Sequence, residues 1–379
     1  MRLAVTVLVF CVAALLALGM VMLYSSSMTQ VGAHYLTLQL IWCALGLALC
    51  VTAASLDYAW LRKLAWPLFG LAVLMLVLVL IPHIGIKVKG ARRWLGIHGI
   101  RFQPSEFAKL ALIIVLAWYG DRFQRRMTVW QRGVVGPGIL ICAVLGLVFL
   151  EPDRGTAVLI AAASGALLLI AGVRWKHILP PALLGLVGLG VYLWRDPMCI
   201  RRIWDGWVNL DKNKEGVAYQ AYQAMLALGS GGWMGLGLGN GRQKLGYVPE
   251  HHTDFILSII GEELGLVATL LVVAAFVVLV VCGIYIASHA RESFGLLLGA
   301  GISLLIGLQA LINIGVVTSA LPNKGLPLPF ISYGGSNLLL MLTSVGILLS
   351  IARHSPAHEA AAEATVETDE IPLARRSRC

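Results

Sequence analysis

The sequence predicts an all-α, polytopic membrane protein with about ten transmembrane helices. Mean hydropathy is +0.83 over the 379 residues, and 59% of them are hydrophobic against 13% charged. Apolar runs recur along the chain, most near the ~20 residues that a ~30 Å hydrocarbon core requires. That composition excludes an ordinary soluble domain. The expected spans are 4–24, 36–54, 64–82, 104–119, 133–150, 155–172, 177–194, 254–286, 292–317 and 330–351. The first has the look of a signal peptide, but more membrane follows it, so it is read as retained. The run 254–286 is long enough to tilt or to start outside the bilayer.

Residues 1–351 read as one transmembrane domain with outer loops 83–103, 195–253 and 318–329, and 352–379 as a hydrophilic, disordered cytoplasmic tail. With the N-terminus inside, Arg62, Lys63, Arg122, Arg125, Arg126, Arg132, Arg174, Lys176 and Arg291 fall in inner loops, as the positive-inside bias asks. The net charge of +10 is divided among these loops and does not indicate nucleic acid. Loop 83–103 nevertheless carries Lys87, Lys89, Arg92, Arg93 and Arg101 without an acid. Outer positives of this kind either sit tolerated among headgroups or hold an anionic lipid ligand. The seven Cys show no spacing of a disulfide framework or a thiolate metal site.

The segment Gly246–Gly265, GYVPEHHTDFILSIIGEELG, places Glu250, His251, His252, Asp254, Glu262 and Glu263 where a long apolar span begins. Carboxylates in hydrocarbon cost roughly 2.5–3.5 kcal/mol each even on the insertion scale. The cluster is either a collar fixing helix depth or a functional centre. If the stretch is helical, Asp254, Ser258 and Glu262 share a face, with Glu262 about 12 Å deeper at 1.5 Å per residue. Asp254 then suits surface chemistry and Glu262 a buried polar network. H-E-x-x-H is absent, so the adjacent His do not form a zincin site.

Four further segments stand out. In RFQPSEFAK, Pro104 suits a first helical turn, Glu106 its positive end, and Glu106 and Lys109 are neighbours three apart. They form a cap and depth anchor, or Lys109 helps Arg92 and Arg93 hold a headgroup. Asp153 lies in an outer turn, EPDRGT, that either serves the next helix or lines a site. The glycine-dense 229–246 lacks GK[ST] and fails G-x-G-x-x-G, so ATP and NAD are rejected. It is a flexible loop, or one that passes close to a bulky ligand with Arg242 and Lys244 as phosphate contacts. Leu321–Ser336, LPNKGLPLPFISYGGS, cannot be helical throughout and reads as packing or as a shaped lip over a cavity.

These motifs together resemble the SEDS family of bacterial cell-wall membrane proteins, the group containing FtsW and RodA. GARRWLG, QPSEFAK, Pro152-Asp153 with Gly155-Thr156, the 229–244 loop, PEHHTDFI with IGEELG, and GLPLPFISYGGS carry the resemblance. LPNKG and the full IGEELG lie nearer the division-associated FtsW branch. Arg154 and Asn337 depart from the family's usual apolar residue and second Ser. The resemblance implies a ten-helix SEDS-type fold and an inverting peptidoglycan glycosyltransferase. It would polymerise lipid II into β-1,4 glycan strands at the outer face of the bacterial cytoplasmic (inner) membrane, at the septum. Asp254 is then the general base. Arg92, Arg93, Lys109, Arg242, Lys244, Ser332, Gly334 and Gly335 are substrate contacts, and Glu106, Asp153, Glu250, His251 and Glu262 supports. The implied partners are a class B penicillin-binding protein and other division proteins, without nucleic acid. No tightly bound cofactor is expected; a divalent cation, Mg or Mn, is allowed for, with no ligands assigned. A lipid II flippase and a non-catalytic division scaffold are the alternatives.

Overall fold

The computed structural model describes residues 1–27, 32–88, 91–97, 100–195, 204–208, 216, 218–249 and 252–356. Ten helices fall on the ten expected spans: α1 Arg2–Ser27, α2 His34–Ser55, α3 Ala59–Leu80, α4 Pro104–Arg122, α5 Gly136–Leu150, α6 Arg154–Ile170, α7 Trp175–Arg195, α9 Ile256–Ser288, α10 Ser293–Val317 and α11 Gly335–Arg353. An eleventh, α8 (Tyr219–Ser230), lies inside the region read as a loop. Its small Ala221, Ala224 and Ala227 recur every third residue and are buried, and the helix packs on α9.

Among the described residues, seven helices are individually long and apolar enough to cross a membrane. They are α1, α2, α3, α5 with its entry turn from Gln131, α9, α10 and α11. α6 is apolar but has only 17 residues. α4 keeps Glu106, Lys109, Asp121 and Arg122, and it does so because it lies inside the protein. Nearly every residue from Pro104 to Gly120 is buried, against α3, α6 and α10. α11 packs along α2, and α9 lies between α1 and α10.

The all-α reading needs one addition. Loop 83–103 carries a small antiparallel sheet, β1 (Ile86–Val88), β2 (Ala91–Ile97) and β3 (Ile100–Phe102), in the order β1-β2-β3. Lys87 pairs with Arg92 and Gly96 with Arg101. Successive side chains of a strand point to opposite faces, so Arg92 and Arg93 leave β2 on different sides.

α9 is two helices. Gly265 breaks it with φ 80° and ψ −176°, a conformation a side chain would strain. A Cβ there would also strike the backbone of Trp233 and Gly235. The break exposes peptide groups, and the glycine-rich loop satisfies them. Leu236 N donates to Glu262 O (2.9 Å) and Gly237 N to Glu263 O (3.0 Å). In return Leu266 N donates to Gly232 O (2.9 Å) and Val267 N to Trp233 O (3.3 Å). Irregular backbone survives beside hydrocarbon only with such internal pairing. Residues 266–288 then span roughly 34 Å at 1.5 Å per residue, enough for one crossing.

At the opposite end from this loop, Arg62 pairs with Asp121 (2.8 Å) and Glu292 (3.2 Å), joining the α2–α3 link, the end of α4 and the α9–α10 link.

Candidate active site

Asp254 lies in the turn 252–255, ahead of α9 rather than inside it. The expectation of one helix face shared by Asp254, Ser258 and Glu262 therefore fails. Ser258 donates to Phe255 O (2.7 Å) and so serves the first helical turn instead. What holds Asp254 is a set of donors on three successive carbonyls. Tyr333 N donates to His252 O (3.0 Å), Ser332 Oγ to Thr253 O (2.6 Å) and Asn313 Nδ2 to Asp254 O (2.8 Å). Tyr35 stacks on His252 at 4.7 Å and contacts Tyr333 at 4.9 Å. The Asp254 carboxylate itself is half-buried. Gly325 backs directly onto it, since a Cβ there would lie 2.7 Å from Oδ2.

Ser332, expected to touch substrate, is buried and used up by backbone: its Oγ also accepts from Leu328 N (2.8 Å). Gln39 clips the same segment, donating to Ser332 O and accepting from Gly334 N, both at 3.2 Å. Gly335 presses on the Trp42 ring and has no room for a Cβ, whereas a Cβ at Gly334 would make only an ordinary contact with Asn337. The expectation that Ser332 and Gly335 bind substrate is thus corrected to one of shaping the segment that holds Asp254.

Residues 324–326 lie between Asp254 and the start of α6, where Gly155 abuts Leu326 and the β-carbon of Lys324. Asp153 caps α6, accepting from Thr156 N (3.3 Å) and Thr156 Oγ1 (2.9 Å), and also from Gln103 Nε2 (3.2 Å). Gln103 N donates to Ser336 Oγ (3.0 Å), which ties the start of α4 to the start of α11. Arg93 is committed here: Nε donates to Glu151 O (3.0 Å), one Nη to Pro152 O (2.5 Å), and the other stands 4.0 Å from Asp153. Arg92 is exposed. Glu151, next to Arg93, is fully buried, and burial first, then the Asp153 charge, pushes its carboxyl from the ordinary 4.5 up to about 8, with Arg93 opposing.

Lys109 is also committed. Its Nζ donates to Glu106 (2.9 Å) and to Gln309 Oε1 (2.7 Å) with only 2% of the residue exposed. Gln309 passes the chain on through Nε2 to Asn337 Oδ1 (3.0 Å) and Pro327 O (2.9 Å). A lysine whose charge is matched this way is a poor headgroup contact, so that expectation is corrected to a buried network with Glu106. Asn337, the departure from the family's second Ser, supplies an acceptor to it.

The glycine-rich loop corrects a third expectation. Lys244 is buried and pairs with Glu263 Oε1 (2.7 Å), Gly239 O (2.8 Å) and Ser25 Oγ (2.9 Å). Ser25 also donates to both Glu263 oxygens, and Gly239 N to Oε2 (3.0 Å). Glu262 takes the backbone N–H groups of Arg242 (2.8 Å) and Gln243, the buried network expected of it. The Arg242 side chain is exposed. The four-cation clamp expected around Asp254 therefore dissolves: Arg93 and Lys244 are held by protein acceptors, leaving Arg92 and Arg242 at the surface. Glu250 and His251 lie outside the described residues. Among the described residues, no three His, Cys, Asp or Glu gather as a metal site.

Sequence reasoning missed Gln39, Gln309 and Asn313, and it named Glu263 in the acidic cluster without giving it a role. Gln309 and Asn313 did leave a signal, two amides four apart in an otherwise apolar span, and hence on one helix face.

The fold and this polar end define a multi-pass membrane protein with a carboxylate-centred site where the helices emerge. Residues 6–357 match the model of the FtsW, RodA and SpoVE family, described as cell cycle protein. The chain is 40% identical to the probable peptidoglycan glycosyltransferase FtsW of Trichlorobacter lovleyi, over 91% of this chain and 92% of that one. It is 38% identical to stage V sporulation protein E of Bacillus subtilis, over 90% and 94%. Among solved structures, a chain of a peptidoglycan synthase complex for polymerisation and crosslinking superimposes with TM-score 0.77 at 30% identity, covering 91% and 96%. The rod shape determining protein RodA of Thermus thermophilus gives 0.70 at 30%, covering 92% and 96%. This chain belongs to the FtsW/RodA/SpoVE family, on the FtsW side.

Proposed function

We propose that this chain is a peptidoglycan glycosyltransferase that polymerises lipid II at the outer face of the bacterial cytoplasmic membrane, with Asp254 as general base. The observation that carries this reading is the half-buried carboxylate of Asp254, held through its own backbone and backed by Gly325 where the bundle opens. A carboxylate fixed in that way suits removal of a proton from an acceptor hydroxyl within hydrogen-bond reach. The acceptor GlcNAc 4-hydroxyl loses its proton to Asp254 and attacks the donor MurNAc anomeric carbon. A β-1,4 bond forms as the α-linked lipid pyrophosphate departs. Of the four cations expected to meet that charge, Arg92 and Arg242 stay exposed, and we assign it to them. A divalent cation would supply further charge neutralisation. The isoprenoid tail keeps the substrate at the bilayer, where α4, α10 and α11 end.

We infer further that residues 1–351 act as one transmembrane unit with 352–379 as a cytoplasmic tail. A class B penicillin-binding protein crosslinks the product at the septum alongside other division proteins. The solved synthase complex, which couples polymerisation and crosslinking, supports the transpeptidase partner. Purified chain with that partner should extend fluorescent lipid II into glycan strands. Translocation of lipid II in liposomes without any glycan product would replace this reading with a flippase.

A further inference from the structure

We propose that Asn313 is a positioning residue for Asp254. Its one amide nitrogen, on α10, donates to Asp254 O (2.8 Å) and to Leu326 O (2.7 Å), so a single group ties the backbone of the base to the loop that backs onto it. Asn313 is 1% exposed and its Oδ1 is buried without a hydrogen-bond partner. An amide kept in the core with half its capacity unmet is costly for stability alone, and the half that is met lies wholly on the two segments flanking the carboxylate.

The geometry explains what that staple controls. Between Asp254 and Leu326 stands Gly325, whose α-carbon is so close that an added Cβ would reach 2.7 Å from Asp254 Oδ2. The loop therefore limits how far the carboxylate can swing, and its height is set from α10. One turn earlier, Gln309 holds the next carbonyl of the same segment, donating to Pro327 O (2.9 Å). Loop 324–327 thus hangs from two amides on one face of α10, and only Asn313 reaches the base as well. If either tie is cut, the carboxylate loses its fixed angle to the acceptor hydroxyl, and misplacement on the order of 1 Å costs roughly 100-fold in rate.

This inference rests on the reading of Asp254 as base, and the test separates the two. Asn313→Leu keeps the branched heavy-atom skeleton, removes both donors and also removes the unmet oxygen. Assayed with the transpeptidase partner on labelled lipid II, it should lower kcat by roughly 10- to 100-fold. KM should stay within about twofold, because the amide holds the base rather than the substrate, and the protein should stay folded with a melting temperature lowered by the two carbonyls left without their donors. Gly325→Ala, on an exposed stretch, should also lower kcat without unfolding the protein, by pushing the carboxylate from its other side. In an Asp254→Asn background, Asn313→Leu should cost nothing more. Wild-type kcat in a folded Asn313→Leu, beside an inactive Asp254→Asn, overturns the positioning role and leaves the base intact. Activity of Asp254→Asn itself overturns the base reading. Should Asn313→Leu fail to fold, an unchanged kcat in Gly325→Ala overturns the positioning proposal.

Discussion

Two glycine-rich segments meet at the same end of the bundle, and they treat their neighbouring acids in opposite ways. Around residues 231–246 the acids serve the loop. Glu262 takes the backbone N–H groups of Arg242 and Gln243, while Glu263 holds Lys244, Ser25 and Gly239. Around 321–336 the loop serves the acid. Tyr333 and Ser332, with Asn313 behind them, take the carbonyls of 252–254, and Gly325 backs onto the Asp254 carboxylate. The first arrangement holds a kinked helix together; the second, on the proposed reading, orients the base. Composition alone does not separate them, since both are loops of Gly, Lys and apolar residues beside a conspicuous carboxylate.

Breaking the first arrangement should cost the most stability. Glu263→Gln strands the Lys244 charge in a buried setting, and loss of one partner of such a pair costs about 3–5 kcal/mol. Chemical or thermal unfolding in detergent should show it, and Glu263→Gln with Lys244→Met should recover part of the loss. A single variant as stable as wild type would mean the pair is hydrated. Gly265→Ala comes next: the positive φ and the contact with Trp233 and Gly235 should cost at least about 1–3 kcal/mol. It should also raise hydrogen exchange at Leu236 and Gly237, whose amides lose their acceptors.

A smaller effect concerns Glu151. With its carboxyl raised to about 8, the folded protein keeps a proton that the unfolded chain releases near 4.5. Stability should therefore fall as pH rises through that window, by up to about 1.4 kcal/mol per unit, and level off above it. Glu151→Gln should remove the slope; an unchanged slope would assign it to another group. The smallest expected stability change is that of Arg242→Gln, an exposed cation whose side chain has no acceptor among the described residues. Its effect should fall on turnover of lipid II, and equal turnover would leave Arg92 as the pyrophosphate contact.

The spans were legible because hydrocarbon imposes length and apolarity on every crossing, and all ten expected runs are helices. The kink at Gly265 was hidden, since the glycines of IGEELG stand in a helix-compatible stretch without a breaker such as proline. α8 was hidden by weak periodicity in a region of mixed charge. At the site, Asp254, Asp153 and Glu262 could be singled out because acids at a membrane boundary are costly. The fate of the cations could not be read, because pairing is a tertiary matter: Lys244 meets Ser25 across 219 residues of sequence, and Arg93 meets the Glu151 carbonyl across 58. Local spacing did disclose the pair that lies within one helix, Glu106 and Lys109.

The central distinction, an acid held for chemistry against acids held for structure, is tested most directly at Asp254. Asp254→Asn preserves size and leaves the backbone ties to Asn313, Ser332 and Tyr333 in place. The variant, purified with its transpeptidase partner and given fluorescent lipid II, should melt with the wild type and form no glycan strands. Polymerisation near the wild-type rate by that folded variant would contradict the account.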